Sequence, residues 1–251
     1  MSIRPGLCSV TFRELPPARV AALAAEAGLQ VIEWGGDVHV PPGDVRGAAA
    51  VAGITADAGL VVCSYGSYFR ATPRESITPV LDSASALGAD RVRVWAGVSG
   101  SAEASERERA GVVDALARAS AEADDRGMTL ALEYHGGTLA DTPEAVLGLL
   151  GAVGSTALTT YWQPTVAASD ETALAEYALL ADRVSAVHVF SWWPRTERLP
   201  LRDREALWRG FGLAANAASR PPRDALLEFV PGDDPSVLAA EARSLRQYLQ
   251  A

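Results

Sequence analysis

Residues 130–150, LALEYHGGTLADTPEAVLGLL, hold one complete strand–loop–helix unit. LALEY is a short apolar run of strand length and closes on a glutamate, Glu133. His135 follows two residues later, and Gly136–Gly137 let the backbone turn tightly. Thr142, Pro143 and Glu144 then read as N-cap, first helical position and first-turn acid of an amphipathic helix.

The same unit recurs along the chain. Strands are expected at GLCSVTF (6–12), LQVIEW (29–34), LVVCSY (60–65), RVRVWA (91–96), MTLALEY (128–134), ALTTYW (157–162), VSAVHVF (184–190) and ALLEF (225–229). Helices are expected over 16–28, 44–58, 73–88, 103–127, 142–153, 170–182, 203–218 and 235–249, several with Pro near the start and Gly at the end. Strict alternation implies a parallel sheet with right-handed crossovers. Eight units in 251 residues imply closure into a (β/α)₈ TIM barrel, read as one domain over 1–251. No strand is followed by GxGxxG or GxxxxGK[ST], so dinucleotide and P-loop folds lack their fingerprints.

Composition narrows the function. A net charge of −9, with arginines scattered among acids, argues against nucleic acid. The chain contains no lysine, so Schiff-base and pyridoxal-phosphate chemistry lack their side-chain amine. No apolar run approaches the ~20 residues of a membrane span, and the start, MSIRPGLCSV, lacks a secretory h-region. Cys8 and Cys63 lie in apolar runs and read as reduced core thiols. A cytoplasmic location is expected.

In a barrel the strand ends form one rim, where ligands bind. All three histidines, His39, His135 and His188, fall at or just beyond strand ends, as do Glu33, Glu133 and Glu228. Burying such groups as scaffold is expensive unless each is paired. Glu133, His188 and Glu228 are therefore expected to meet around one divalent cation, and carboxylates with a neutral imidazole suit Mn²⁺, Mg²⁺, Co²⁺ or Zn²⁺. Trp34, Trp95, Trp162, Trp192 and Trp193 also fall at strand ends or the loops after them, where flat faces would stack on a sugar ring. Glu33, His39, Tyr65, Arg70, Arg93 and His135 are the candidate partners of substrate oxygens. PGDDP (231–235) follows the last strand and repels phosphate, so the expected substrate is unphosphorylated. The 191–205 segment, SWWPRTERLPLRDRE, reads as a loop of lid length.

Along its whole length the chain resembles the sugar isomerase/epimerase branch of the xylose-isomerase-like barrels. The resemblance is strongest at AGLQVIEWGGDVHVPPGD, LALEYHGGTLADTPEAV, VSAVHVF and LLEFVPGDDP. It implies a metal held by residues ending strands five to eight, here Glu133, Gln163, His188 and Glu228, with Glu133 and Glu228 as an acid/base pair. Gln163 stands where the family has Asp, so weaker metal binding is expected. The resemblance further implies an enediolate route on a non-phosphorylated sugar or cyclitol, and a homo-oligomer. A lyase using the same intermediate, or a metal-free sugar-binding barrel, is the alternative. The DNA-repair branch of the superfold needs a far richer His/Asp/Glu cluster and a basic face, and ranks last.

Overall fold

The computed structural model describes residues 3–250. Eight parallel strands close into a barrel: β1 (Arg4–Cys8), β2 (Val31–Gly35), β3 (Val61–Gly66), β4 (Arg91–Val94), β5 (Thr129–Leu132), β6 (Leu158–Trp162), β7 (Val184–Val189) and β8 (Asp224–Leu227). They pair in chain order, and β8 returns to β1 in the register Arg4↔Asp224 to Leu7↔Leu227. Outside lie α1 (Pro17–Glu26), α2 (Val45–Asp57), α3 (Thr78–Leu87), α4 (Glu106–Asp125), α5 (Pro143–Val153), α6 (Asp170–Leu180), α7 (Glu205–Ala217) and α8 (Leu238–Leu249). The (β/α)₈ expectation holds unit for unit. No described helix is long and apolar enough to cross a membrane.

Local chemistry explains the boundaries. Thr142 Oγ1 accepts the Ala145 N–H, which starts α5 as the sequence implies. Ser105 and Glu108 complete a reciprocal capping box on α4. Gly88 ends α3 at φ 77°, a conformation that a side chain would strain. Most elements are trimmed at their ends relative to the expected ranges, and two are cut short by identifiable turns. The strand from 6 to 12 ends at Cys8, and Ser9–Phe12 winds into a 3₁₀ turn. The helix expected from 73 begins only at Thr78, because Glu75 accepts the backbone N–H groups of Arg70 and Thr72 and the Thr72 hydroxyl. The Thr72–Pro73 start signal therefore caps a turn. Within 191–205 a short antiparallel ladder pairs Ser191–Trp192 with Arg198–Leu199, and Arg204 ties the segment to Asp170 at 2.6 Å.

Two buried clusters divide the apolar residues. The larger lies between barrel and helices and includes Trp34, Trp162 and Trp208. The smaller, with Cys8, Val31, Cys63, Ala131, Tyr161, Ala186 and Leu226, fills the barrel interior. Because successive strand residues face opposite sides, the inward positions form series two apart: Arg91 and Arg93, Ala131 and Glu133, Tyr161 and Gln163, Ala186 and His188, Asp224, Leu226 and Glu228. Small residues make room for the long ones. At Gly6 a Cβ would stand 2.4 Å from Val31 Cγ2 and 2.7 Å from the Val31 carbonyl oxygen.

The interior is also charged. Arg91 donates to Asp224 at 2.5 Å, to the Ser185 carbonyl at 2.9 Å and to the Tyr161 hydroxyl at 3.0 Å. Arg4 reaches the other Asp224 oxygen at 2.7 Å. Arg91 and Asp224 are both fully buried, and burial without a partner would leave an uncompensated charge. Asp224→Asn is expected to destabilise the protein by about 3–5 kcal/mol in urea unfolding. Arg19→Ala, which removes an exposed pair with Glu26, should change stability by about 0.5 kcal/mol or less.

Candidate metal centre and substrate cavity

At the C-terminal ends of the strands a cavity of about 390 Å³ opens into the barrel. Its floor carries Arg93 from β4 and Glu133, Gln163 and Glu228, which follow β5, β6 and β8. Backbone bonds extend the ladder to these residues: the Glu133 N–H donates to Val94 O at 2.9 Å and the Glu228 N–H to Val189 O at 3.0 Å. His188, on β7, lies fully buried under them. Its Nδ1 is 3.1 Å from Gln163 Oε1 and 3.6 Å from Glu228 Oε2. Its Nε2 is 3.1 Å from Glu33 Oε1 on the side away from the cavity. Glu133 Oε2 takes the Arg93 guanidinium at 2.6 Å.

This arrangement fits a divalent cation on two grounds. Glu33 is held well below the usual carboxylate range: burial works against this, and His188 outweighs it, with help from Arg93 and Ser64. Glu33 also accepts the Ser64 and Tyr161 hydroxyls, at 2.7 and 2.8 Å, so it meets His188 as an acceptor and Nε2 is the nitrogen that carries the proton facing it. In a neutral ring Nδ1 is then a lone pair, and it faces two further acceptor oxygens. Acceptors converging at such distances need a proton or a cation between them. Ligands of one ion with bonds of ~2.0–2.2 Å stand about 3.0–3.5 Å apart. The second ground is charge: Glu33, Glu133 and Glu228 are buried with one guanidinium, Arg93, which leaves two negative charges when His188 is neutral. Without an ion a proton is favoured instead. Burial would lower the His188 pKa, but Glu228 and Glu33 raise it above its ordinary value. The Glu228 pKa is raised by burial, with Glu133 and Glu33 adding to it.

Among the described residues, the His/Cys/Asp/Glu group whose ligand atoms all lie within 4.8 Å of one another is Cys8, Glu33 and His188, and not the set of Glu133, His188 and Glu228. It lies below the cavity floor, and none of the three lines the cavity. Burial pushes the Cys8 thiol well above its ordinary range, so its sulfur is a poor ligand. The set facing the cavity is the better candidate, because an ion there can be reached by ligand.

Aromatic side chains wall the cavity. Trp95 stacks against His135 with ring centroids 4.5 Å apart, and Tyr68 lies beside it at 6.1 Å. Trp192 meets Phe190 at 5.1 Å and Phe229 at 5.4 Å. Arg13, tied to Asp37 at 2.8 Å and to Tyr68 at 2.8 Å, also lines it. Phe229 holds φ 55°, a strained conformation for an aromatic residue. Its N–H donates to Thr11 Oγ1 at 3.2 Å.

Of the expected substrate contacts, His135, Trp95, Arg93 and Trp192 line the cavity. Seven others do not: Trp193 is partly exposed away from the cavity, with the Arg204 guanidinium 5.2 Å from its ring, and the other six are accounted for by their contacts. Trp34 is fully buried on the outer side, its indole N–H bonded to Thr55 on α2 at 3.0 Å. Trp162 is equally buried, in a cluster with Tyr177, Trp208 and Phe211. Within a strand both follow from alternation: Glu33 and Gln163 face inward, so Trp34 and Trp162 face outward. His39 donates from Nε2 to the Leu15 carbonyl at 3.0 Å and takes the Ser9 hydroxyl on Nδ1 at 2.9 Å, which pins the loop after β2. Arg70 covers the Trp95 ring at 4.4 Å and supports that wall from behind. Glu33 lies beneath the floor. Tyr65 likewise spends its hydroxyl on the Val40 carbonyl, at 2.6 Å. Arg13, Tyr68 and Phe229 were missed. Arg13 and Tyr68 lie in strand-proximal loops with no periodic signal, and Phe229 falls at the end of the run expected as strand 225–229, next to Glu228.

The xylose isomerase-like TIM barrel family model matches residues 21–216, and the chain belongs to that family. No curated protein matches it. Solved structures share the fold at low identity. One is a probable 3-DHS dehydratase involved in petrobactin synthesis from Bacillus anthracis, at 19% identity and TM-score 0.77, covering 97% of this chain and 99% of that one. An L-ribulose 3-epimerase aligns at 18% identity and TM-score 0.70, over 99% and 96% of the two chains. A xylose isomerase-like TIM barrel protein from Mycobacterium smegmatis in complex with magnesium aligns at 16% identity and TM-score 0.71, again over 99% and 96%.

The division between core and cavity tryptophans is measurable. Trp162→Ala is expected to cost about 3–5 kcal/mol in denaturant unfolding. Trp95→Ala, at a half-buried cavity wall, should cost about 1–2 kcal/mol. Equal losses at both positions would contradict the assignment.

Proposed function

We propose that this member of the xylose isomerase-like barrels is a divalent-metal-dependent isomerase or epimerase of a non-phosphorylated sugar or cyclitol. The observation that carries the reading is the convergence of His188 Nδ1, Gln163 Oε1 and Glu228 Oε2 on a cavity floor two positive charges short of balance. Gln163, His188 and Glu228 would hold the ion, with Glu133 as the fourth ligand through the oxygen that Arg93 leaves free. When bound, the ion would supply Lewis-acid stabilisation to an enediolate formed from neighbouring carbonyl and hydroxyl groups of the substrate.

The chain's own residues do the proton work. Glu133 and Glu228 rise from β5 and β8, separate arcs of the rim, so they can approach a substrate carbon from different sides. One takes the proton beside the carbonyl. The other returns a proton to the opposite face or to the adjacent carbon. Arg93 fixes the Glu133 carboxylate at 2.6 Å and limits its movement. Trp95 and His135 on one side, and Trp192, Phe190 and Phe229 on the other, offer flat faces to a ring and exclude water.

A second reading is a lyase. It is supported by the aromatic lining and by the structural likeness to a protein described as a dehydratase. The same carbanion would there form a double bond and expel the β-hydroxyl as water, with the second glutamate giving its proton to the leaving oxygen and not to carbon.

A substrate screen in deuterated water separates these readings. Deuterium appearing at one carbon of an otherwise unchanged mass supports isomerisation or epimerisation; loss of water with formation of a double bond supports the lyase. Glu133→Gln and Glu228→Gln should each lower kcat by about 10²–10⁴-fold. The metal-centre reading predicts close to one Mn²⁺ per chain in equilibrium dialysis, abolished by His188→Ala. Gln163→Glu, which adds a charge to the donor set, should tighten Mn²⁺ binding by about tenfold, or about 1.4 kcal/mol. A wild-type protein that binds no divalent ion and turns over nothing would leave a sugar-binding barrel as the reading.

A further inference from the structure

Glu33 is a buried carboxylate that makes no contact with the cavity, yet every bond it forms bears on His188. It is 3% exposed. Its Oε2 accepts the Ser64 hydroxyl at 2.7 Å and the Tyr161 hydroxyl at 2.8 Å. Its Oε1 faces His188 Nε2 at 3.1 Å, with the Cys8 thiol farther off at 3.8 Å. Tyr161 is itself fixed, because Arg91 donates to its hydroxyl at 3.0 Å and Asp224 holds Arg91 at 2.5 Å. The Tyr161 and His188 rings also meet edge to face, 5.0 Å apart. A carboxylate held by two hydroxyl donors cannot rotate to release the imidazole without taking the carboxylate acceptor away from both buried O–H groups.

We infer that Glu33 is a positioning residue: from below the cavity floor it accepts the His188 Nε2–H, and so presents Nδ1 as a lone pair towards Gln163, Glu228 and the cavity. A carboxylate bonded to the distal nitrogen of a ligand histidine fixes both tautomer and ring plane. The Arg4–Asp224–Arg91–Tyr161 column is the foundation of that contact, which ties the charged barrel interior to the site. The consequence for metal affinity rests on the reading proposed above; the tautomer does not.

The chain has three histidines, so His188 can be identified in nitrogen-15 spectra by comparison with His39→Gln and His135→Gln. Spectra are recorded on metal-free protein at a pH where the ring is neutral. Mn²⁺ affinity is measured separately from the electron paramagnetic resonance of free Mn²⁺, and thermal unfolding confirms that each variant is folded. The expected result is an Nε2–H ring at His188 in wild type and a mixed or Nδ1–H ring in Glu33→Gln. Mn²⁺ binding should weaken by about 10–100-fold in that variant. Glu33→Asp, which retracts the carboxylate by one methylene, serves if Glu33→Gln does not fold, and should show the same change in smaller measure. An Nδ1–H ring in wild type overturns the inference. So does an unchanged tautomer with Mn²⁺ affinity within about twofold in the variants. Loss of Mn²⁺ on Cys8→Ala but not on Glu228→Gln would place the ion below the floor, and would also overturn it. A wild type that binds no Mn²⁺ defeats the metal-centre reading, while the tautomer still decides the role of Glu33.

Discussion

The pairing of Arg91 with Asp224 inside the barrel is the contact on which the rest of the structure leans. A barrel interior is ordinarily filled by layers of branched apolar side chains. Here Gly6, Ala131 and Ala186 leave space, and arginines and a tyrosine occupy it. That packing is tolerable because each charge meets an opposite one at hydrogen-bond distance. Asp224 answers both Arg4 and Arg91, Arg91 braces Tyr161, and Tyr161 holds Glu33 under His188. The column ends at Glu33, just beneath the cavity floor, and Glu33, Glu133 and Glu228 have one guanidinium, Arg93, among them. Deeper in the barrel one carboxylate, Asp224, meets two guanidiniums, and at its mouth three carboxylates meet one. That excess of carboxylates, beside an open cavity, is what the proposed cation site rests on.

The cavity above adds a different kind of constraint. Its walls are aromatic, and several of those rings are held by arginines that never reach the floor: Arg70 over Trp95, and Arg198 between Trp192 and Phe229. Stacked guanidinium groups stiffen a wall at little cost, because their charge stays partly solvated. Phe229 is held at positive φ by Thr11 immediately after Glu228, so the strained residue and the floor carboxylate are set by the same turn. Rigid walls over a charged floor suit a ligand with a flat, weakly polar face and a polar edge.

Much of this was legible in the order of residues. Alternating apolar runs and capped helices marked out eight units, and Thr142 and Gly88 act at the boundaries their chemistry suggests. Glu133, Gln163, His188 and Glu228 were expected from strand position and resemblance; three of them line the cavity, and His188 lies beneath them. The errors at Trp34 and Trp162 were avoidable. Each sits next to a residue assigned to the same rim, and adjacent strand residues cannot both face inward. His39 and Arg70 could not have been placed that way, since both lie in loops whose course depends on what they pack against.

The sequence by itself determined the barrel, its register of inward positions and the chemical types at the strand ends, because hydrophobic period and turn chemistry are local properties. Only the tertiary structure decided partnership. Glu33 and His188 are 155 residues apart, and Arg91 and Asp224 are 133 apart. No local rule says whether a strand-end glutamate faces a substrate or a histidine beneath it. Closure of the ring settles that, by setting which inward side chains share a layer and therefore which charges must neutralise one another.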